Sequence, residues 1–297
     1  MSLRSYLRLM RIPNVFTAFA NVAAGVFLAR GGQIELRDWL VVAASGSLYC
    51  GGMVWNDYCD RHIDAQERPD RPIPAGEISP NAAAALGGVL FALGLALSAR
   101  HGFAPLLVSV LLCAAILLYD GSLKNTWAGP LAMGSCRTLN VILGLSVVTL
   151  GPAWYAALSL PVLLGIFTLL ITQLSRFEVG GTKANRLHAT LGGFVGLAVV
   201  GALVVFGGAA LRDVGPLSWL AAASLLAYVI WRGSSLLRPL WRAATGPSLG
   251  RAIGGGILLM PAIDASFVAA SGAPLAAAAV FSFTAPAWLL KRWYYLT

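Results

Sequence analysis

Residues 81–119 read NAAAALGGVLFALGLALSARHGFAPLLVSVLLCAAILLY, with Arg100 as the only residue of fixed charge. The two apolar runs, Asn81 to Ala99 and Phe103 to Tyr119, approach the roughly 20 residues that a helix needs to cross hydrocarbon. They are too long and too uniform for strands. Eight similar runs flank them: Pro13 to Ala29, Trp39 to Trp55, Ala128 to Leu150, Trp154 to Gln173, Ala189 to Leu211, Pro216 to Trp231, Ala252 to Ala270 and Pro274 to Leu290. The pattern predicts an all-α polytopic membrane bundle of nine to ten transmembrane helices, one domain over residues 1–297. Pro261 and Asp264 interrupt the ninth run and Pro286 the tenth.

Composition agrees. The 297 residues are 58% hydrophobic and 11% charged, against about 25% charged in soluble domains. A net charge of +9 on so sparse a charge set excludes nucleic acid as the partner and points to membrane edges. With the N-terminus inside, 16 of the 21 Lys and Arg residues fall in cytoplasmic segments, which orients the chain by the positive-inside rule. The expected location is a bacterial inner (cell) membrane, multi-pass, with the active site facing the cytoplasm. Cys50, Cys59, Cys113 and Cys136 are scattered and read as small core residues.

The acids do not follow the orientation rule. Six of twelve, Asp57, Asp60, Asp64, Glu67, Asp70 and Glu77, occupy one cytoplasmic loop region, residues 56–80. Its core, WNDYCDRHIDAQERPDRPIPAG from Trp55 to Gly76, continues the second helix. Asn56, Asp60 and Asp64 then stand at i, i+4 and i+8, with Asp57 beside them. Like charges one turn apart repel, so a cation is expected to compensate. Oxygen ligands of this kind suit Mg²⁺, which is held by one or two carboxylates together with substrate phosphates. Arg68 and Arg71 lie close, and Pro69, Pro72, Pro74 and Gly76 enforce a stiff turn. The mixture fits a magnesium diphosphate; a solvated acidic helix end is the alternative.

This segment resembles the first aspartate-rich motif of the UbiA superfamily of intramembrane prenyltransferases, N-x-x-x-D-x-x-x-D followed by R-P-x-x-x-G. It is matched by Asn56, Asp60, Asp64, Arg71, Pro72 and Gly76. Arg11, Pro13, Asn14, Thr17 and Ala18 near the N-terminus, and Tyr119 with Lys124, extend the likeness, and Gly129 to Asn140 resembles the EboC-like branch. The resemblance implies transfer of an isoprenyl group from an allylic isoprenyl diphosphate to an aromatic or other electron-rich, amphiphilic acceptor. It implies Mg²⁺ on Asn56, Asp60 and Asp64, with Asp57 as an additional ligand. Diphosphate would be gripped by Arg68, Arg71 and Lys124, the last beside Tyr119. Lys124 could equally snorkel to lipid headgroups.

Polar residues within spans add candidates. Arg137 and Asn140 share a face with Gly144, and an intramembrane Arg costs about 2.5–3.5 kcal/mol. It either touches the diphosphate or acceptor, with Asn140 bonding the acceptor, or forms a structural pair with Asp264. Asn14, Thr17 and Asn21 share a face of the first span, as pocket lining or interhelical glue.

The family's second aspartate motif is missing. Residues 175–188 form a second, degenerate cytoplasmic loop that offers only Glu178, with Arg176, Lys183 and Arg186 around it. Direct cation contacts by Lys183 and its neighbours would then replace one Mg²⁺, with Glu178 as the remaining acidic contact to substrate. Two hypotheses follow: a Mg²⁺-dependent prenyltransferase, or a catalytically altered relative that binds or transports an isoprenoid or other amphiphile. A transporter unrelated to isoprenoids would place its ionisable residues near the midplane, and here they cluster at one rim.

Overall fold

The computed structural model describes residues 2–148, 157–180 and 184–291, and all its regular structure is helical. A short α1 (Leu3–Leu9) precedes α2 (Ile12–Ala29), α3 (Trp39–Glu67), α4 (Pro80–His101), α5 (Phe103–Leu118) and α6 (Gly129–Leu145). Then come α7 (Ser159–Gly180), α8 (Ala184–Leu211), α9 (Pro216–Arg242), α10 (Gly246–Ala270), α11 (Pro274–Ser282) and α12 (Thr284–Lys291).

Among the described residues seven helices are long and apolar enough to cross a membrane: α2, α4, α5 with its terminal turn, and α7 to α10. The expected count of nine to ten is not reached. Helix α3 has the length, 29 residues, but its Gly, Ser and Asn content lowers its hydropathy. Helix α6 has only 17 residues, and the tenth run breaks at Phe283 into α11 and α12. The ninth run is not interrupted. Pro261 and Asp264 lie inside a continuous α10; prolines are tolerated in membrane helices packed against protein.

Two of these spans are central. Helices α2 and α10 are mostly buried, whereas α8 and α9 present most of their surface outward. Outward apolar faces suit lipid contact, so polar residues on α2 and α10 must find partners within protein. Helices α2 and α6 cross at Gly25 and Gly144, where a Cβ on either would collide with the opposite backbone. That backbone approach is a small-residue membrane contact, and it brings Arg137 and Asn140 of α6 against Ala18 and Asn21 of α2.

Candidate functional site

Helix α3 runs on to Glu67, carrying its acids as predicted, and ends where Pro69 begins the stiff turn. The compensating cations come from the chain itself, three bases serving three acids, with Arg71 shared by two of them. Arg71 donates from Nη1 to Asp64 Oδ2 at 2.6 Å and to Asp57 Oδ1 at 3.2 Å. Arg11 donates from Nη2 to the same Asp57 oxygen at 2.9 Å. Lys124 is ion-paired with Asp60, and Asn56 donates to Asp120 Oδ1 at 2.6 Å. Asp57 and Asp64 are buried, so removing a partner would leave a charge uncompensated.

Two local devices aim these cations. Arg11 bridges α1 and α2 with φ 49, a left-handed conformation that costs an L-residue roughly 1–2 kcal/mol. Such strain persists where surrounding contacts over-determine it, here the bond to Asp57. At the end of α5 the chain widens into a π turn, Tyr119–Leu123, closed by the Lys124 amide donating to the Tyr119 carbonyl at 2.8 Å. π turns recur at functional sites. This one turns Tyr119 and Asp120 inward and leaves Lys124 to reach Asp60.

Behind the paired acids lies a cavity of about 90 Å³ between α2, α3, α5 and α6. Asn56, Tyr119 and Asp120 line one part, Arg137 and Asn140 another, with Ile116 among the apolar walls. Arg137 donates to Asn21 Oδ1 at 2.5 Å, and Asn21 Nδ2 donates to Asp264 Oδ2 at 2.5 Å. The expected Arg137 to Asp264 pairing therefore runs through Asn21. Asn140 accepts from Ser45 at 2.7 Å and donates to the Ala18 carbonyl at 3.0 Å, so it braces α2 against α3 and α6 while lining the cavity. Asn14 is buried on α2, on the face of Thr17 and Asn21.

Other expected residues lie elsewhere. Arg68 caps α3 and is exposed. Glu178 stands beside Gly250 of α10. Two residues earlier on α7, Arg176 donates to the Lys124 and Thr126 carbonyls at 2.8 and 2.5 Å, and a helical step of two residues turns Glu178 to a different side. It does not join the Asp60 group. Lys183 lies outside the described residues.

Arg11, Asp120 and Ser45 were not expected in the site. Arg11 belongs to the N-terminal stretch that carries the family likeness and Asp120 follows Tyr119, which were the available signals for these two; Ser45 had none. Among the described residues no three His, Cys, Asp or Glu side chains gather into a metal-holding group. The donor set is nonetheless all oxygen, with Asp60 and Asp64 one turn apart. That suits a magnesium ion arriving with phosphate ligands of its own.

A model described as the UbiA prenyltransferase family matches residues 18–253. A digeranylgeranylglyceryl phosphate synthase of Saccharolobus solfataricus is 33% identical over 199 residues, covering 65% of this chain and 70% of that protein. One from Methanoregula boonei is 32% identical over 243 residues, covering 78% and 80%. A UbiA homologue from Archaeoglobus fulgidus, solved with GPP and Mg²⁺, superposes with TM-score 0.67 at 18% identity, over 94% of this chain and 99% of that one.

Proposed function

The chain belongs to the UbiA prenyltransferase family, a multi-pass membrane family, and on that premise we propose that it moves an isoprenyl group from an allylic diphosphate to a glyceryl phosphate acceptor. The acceptor class rests on the relatives' name and takes the amphiphilic rather than the aromatic side of the acceptor expected from sequence. The relatives are archaeal, which leaves the bacterial inner membrane unsupported; we propose a cell membrane with the site on the cytoplasmic side.

The observation that carries the reading is the pairing of Asp57, Asp60 and Asp64 with Arg11, Lys124 and Arg71, next to a cavity that Asn56 and Asp120 line. Asn56, Asp60 and Asp64 would hold Mg²⁺, with Asp57 beside them. When bound, the ion would neutralise charge on the diphosphate. An arriving diphosphate competes for Arg11, Arg71 and Lys124, which exchange a carboxylate for a phosphate oxygen. As the carbon–oxygen bond breaks, negative charge grows on the leaving group and these fixed cations stabilise it. The apolar wall around Ile116 keeps water from the allylic cation. Tyr119 lines the side on which that cation forms, and Arg137 and Asn140 orient the acceptor.

The purified protein, given geranylgeranyl diphosphate and geranylgeranylglyceryl phosphate, is expected to release diphosphate with Mg²⁺ and not with EDTA. No metal-dependent release at any chain length from ten to twenty carbons would sink the proposal. Isoprenoid binding that survives EDTA and Asp60→Ala would instead support the carrier alternative.

A further inference from the structure

The C-terminal half of the molecule carries a second polar cavity that the transfer chemistry does not use. It has a volume of about 410 Å³ and lies between α9, α10 and α12. Three helix faces meet there in regular register. Helix α9 contributes Tyr228, Arg232 and Ser235, at i, i+4 and i+7. Helix α10 contributes Ser248 and Arg251, at i and i+3, and α12 contributes Thr284.

Charge is the first unusual feature. Beyond Glu178 the sequence holds only two acids, Asp213 and Asp264. Asp213 is in the turn between α8 and α9, at the opposite end of α9 from Arg232, and Asp264 is buried against Asn21. Glu178 stands beside Gly250, next to Arg251 in the chain. No described carboxylate, Glu178 included, is ion-paired with Arg232 or Arg251. Among the described residues Arg232 donates to Ser235 Oγ, at 3.2 Å. Arg238 and Arg242 follow on the same helix, so basic groups outnumber acidic ones at this rim.

The second feature is an unsatisfied donor. Thr284 Oγ1 is buried in the cavity wall with no hydrogen-bond partner. A buried hydroxyl left unpaired is unfavourable, and a rotation of the Thr284 side chain toward the cavity would let a ligand oxygen pair with it. Two guanidinium groups, a free hydroxyl and the Tyr228 phenol together match a phosphate group.

We propose that this cavity binds the phosphate of a membrane lipid, its hydrocarbon lying along the outward apolar surface of α9. The surrounding surface favours a lipid over free phosphate, because Trp231 and Leu220 of α9 are exposed on a helix that spans the bilayer. Basic pockets between spanning helices hold anionic headgroups in the same manner. The alternating helix directions place this rim on the same side as the Asp60 group. The site stands independently of the transfer reaction.

The test is native mass spectrometry of the purified protein after exchange into micelles with phosphatidylglycerol, phosphatidylcholine or inorganic phosphate. The wild type is expected to retain phosphatidylglycerol in preference to phosphatidylcholine. Arg232→Ala/Arg251→Ala is expected to lower its affinity about thirtyfold, as for two cations beside an anionic headgroup. Arg212→Ala, at the opposite rim, serves as the control. Arg232→Gln/Arg251→Gln repeats the test with side-chain bulk kept, in case the alanine pair does not fold, and Thr284→Val should weaken retention less. Equal retention of the two lipids, retention unaffected by both double variants, or displacement of the lipid by millimolar phosphate would each overturn the proposal.

Discussion

Two clusters of acids and arginines sit at opposite ends of the bundle and do different things. At one end Asp38, 0% exposed, is ion-paired with Arg30, whose Nε lies 2.6 Å away and whose Nη2 donates at 3.0 Å, and it accepts from the Glu35 amide at 2.9 Å and bonds the His101 ring at 3.0 Å. Arg37 adds a bond to the His101 carbonyl. This cluster ties the end of α2 to the start of α3 and the end of α4. At the other end Asp57, Asp60 and Asp64 are shared among three separate bases beside a cavity that Asn56 and Asp120 line. One cluster centres its donors on Asp38, with Glu35 sharing Arg30. The other spreads three acids over three bases, Arg71 holding two of the acids. Charge pairing alone therefore does not tell the two apart; what sets the second apart is the neighbouring cavity that Asn56 and Asp120 line.

Substitution can break the comparison in either direction. The largest effect is expected at the divided cluster. Asp60→Ala and Asp64→Ala should each lower kcat/KM for diphosphate release by about a thousandfold or more, with the protein still folded by size-exclusion chromatography and circular dichroism. Retained turnover would make this cluster as structural as the other. Asp38→Ala should do the reverse, costing about 1–3 kcal/mol of stability because the Glu35 amide and the His101 ring lose their acceptor and Arg30 keeps only Glu35. Thermal unfolding measures that loss, and turnover per folded molecule should stay near wild type.

Asp264→Ala tests a smaller step, the relay from α10 through Asn21 to Arg137. We expect KM for the isoprenyl diphosphate or the acceptor to rise about tenfold, and no further rise when Arg137 is already Ala. Additive losses would show that Asp264 acts on the fold alone. Asp264→Asn, which keeps an oxygen for Asn21, should recover most of the loss.

The smallest effect is a pH dependence at the closed cluster. Burial alone would raise the Asp38 carboxyl, but bonds from Arg30, the Glu35 amide and His101 bring it below its ordinary value of 3.8. A depressed carboxyl contributes stability above its unfolded pKa and loses it as pH falls through the folded one. Melting temperature should therefore drop below about pH 4 more steeply in wild type than in Asp38→Asn. Equal slopes would remove Asp38 from the account.

Much of the divided cluster was legible in advance because it is local. Asn56, Asp60 and Asp64 lie one turn apart on a single helix, and helical periodicity settles their common face without tertiary information. Lys124 and Arg71 were legible as site residues, but which base meets which acid was not, because Arg11, Lys124 and Asp120 lie outside that helix. Asp264 illustrates the limit: its partner Asn21 lies 243 residues away. Glu178 lies apart from the Asp60 group for a related reason. The phase of α7 is set by its close contact with α6, where Gly134 and Gly165 admit no Cβ, and that phase gives Arg176 rather than Glu178 to the Lys124 turn. The span count failed where composition is mixed, as in α3, whose single helix serves both the bilayer and the acidic rim.

Apolar run length and the scarcity of charge determined by themselves that this chain is a helical membrane protein. The crowding of acids after the second run marked the candidate site, because both are properties of neighbouring residues. Only the tertiary structure decided which base neutralises which acid, that Arg137 is held through Asn21, and that one acidic cluster is closed and the other open. Those outcomes depend on helix crossings such as Gly25 on Gly144, where the distance between backbones, not the identity of the charged residues, sets which side chains can meet.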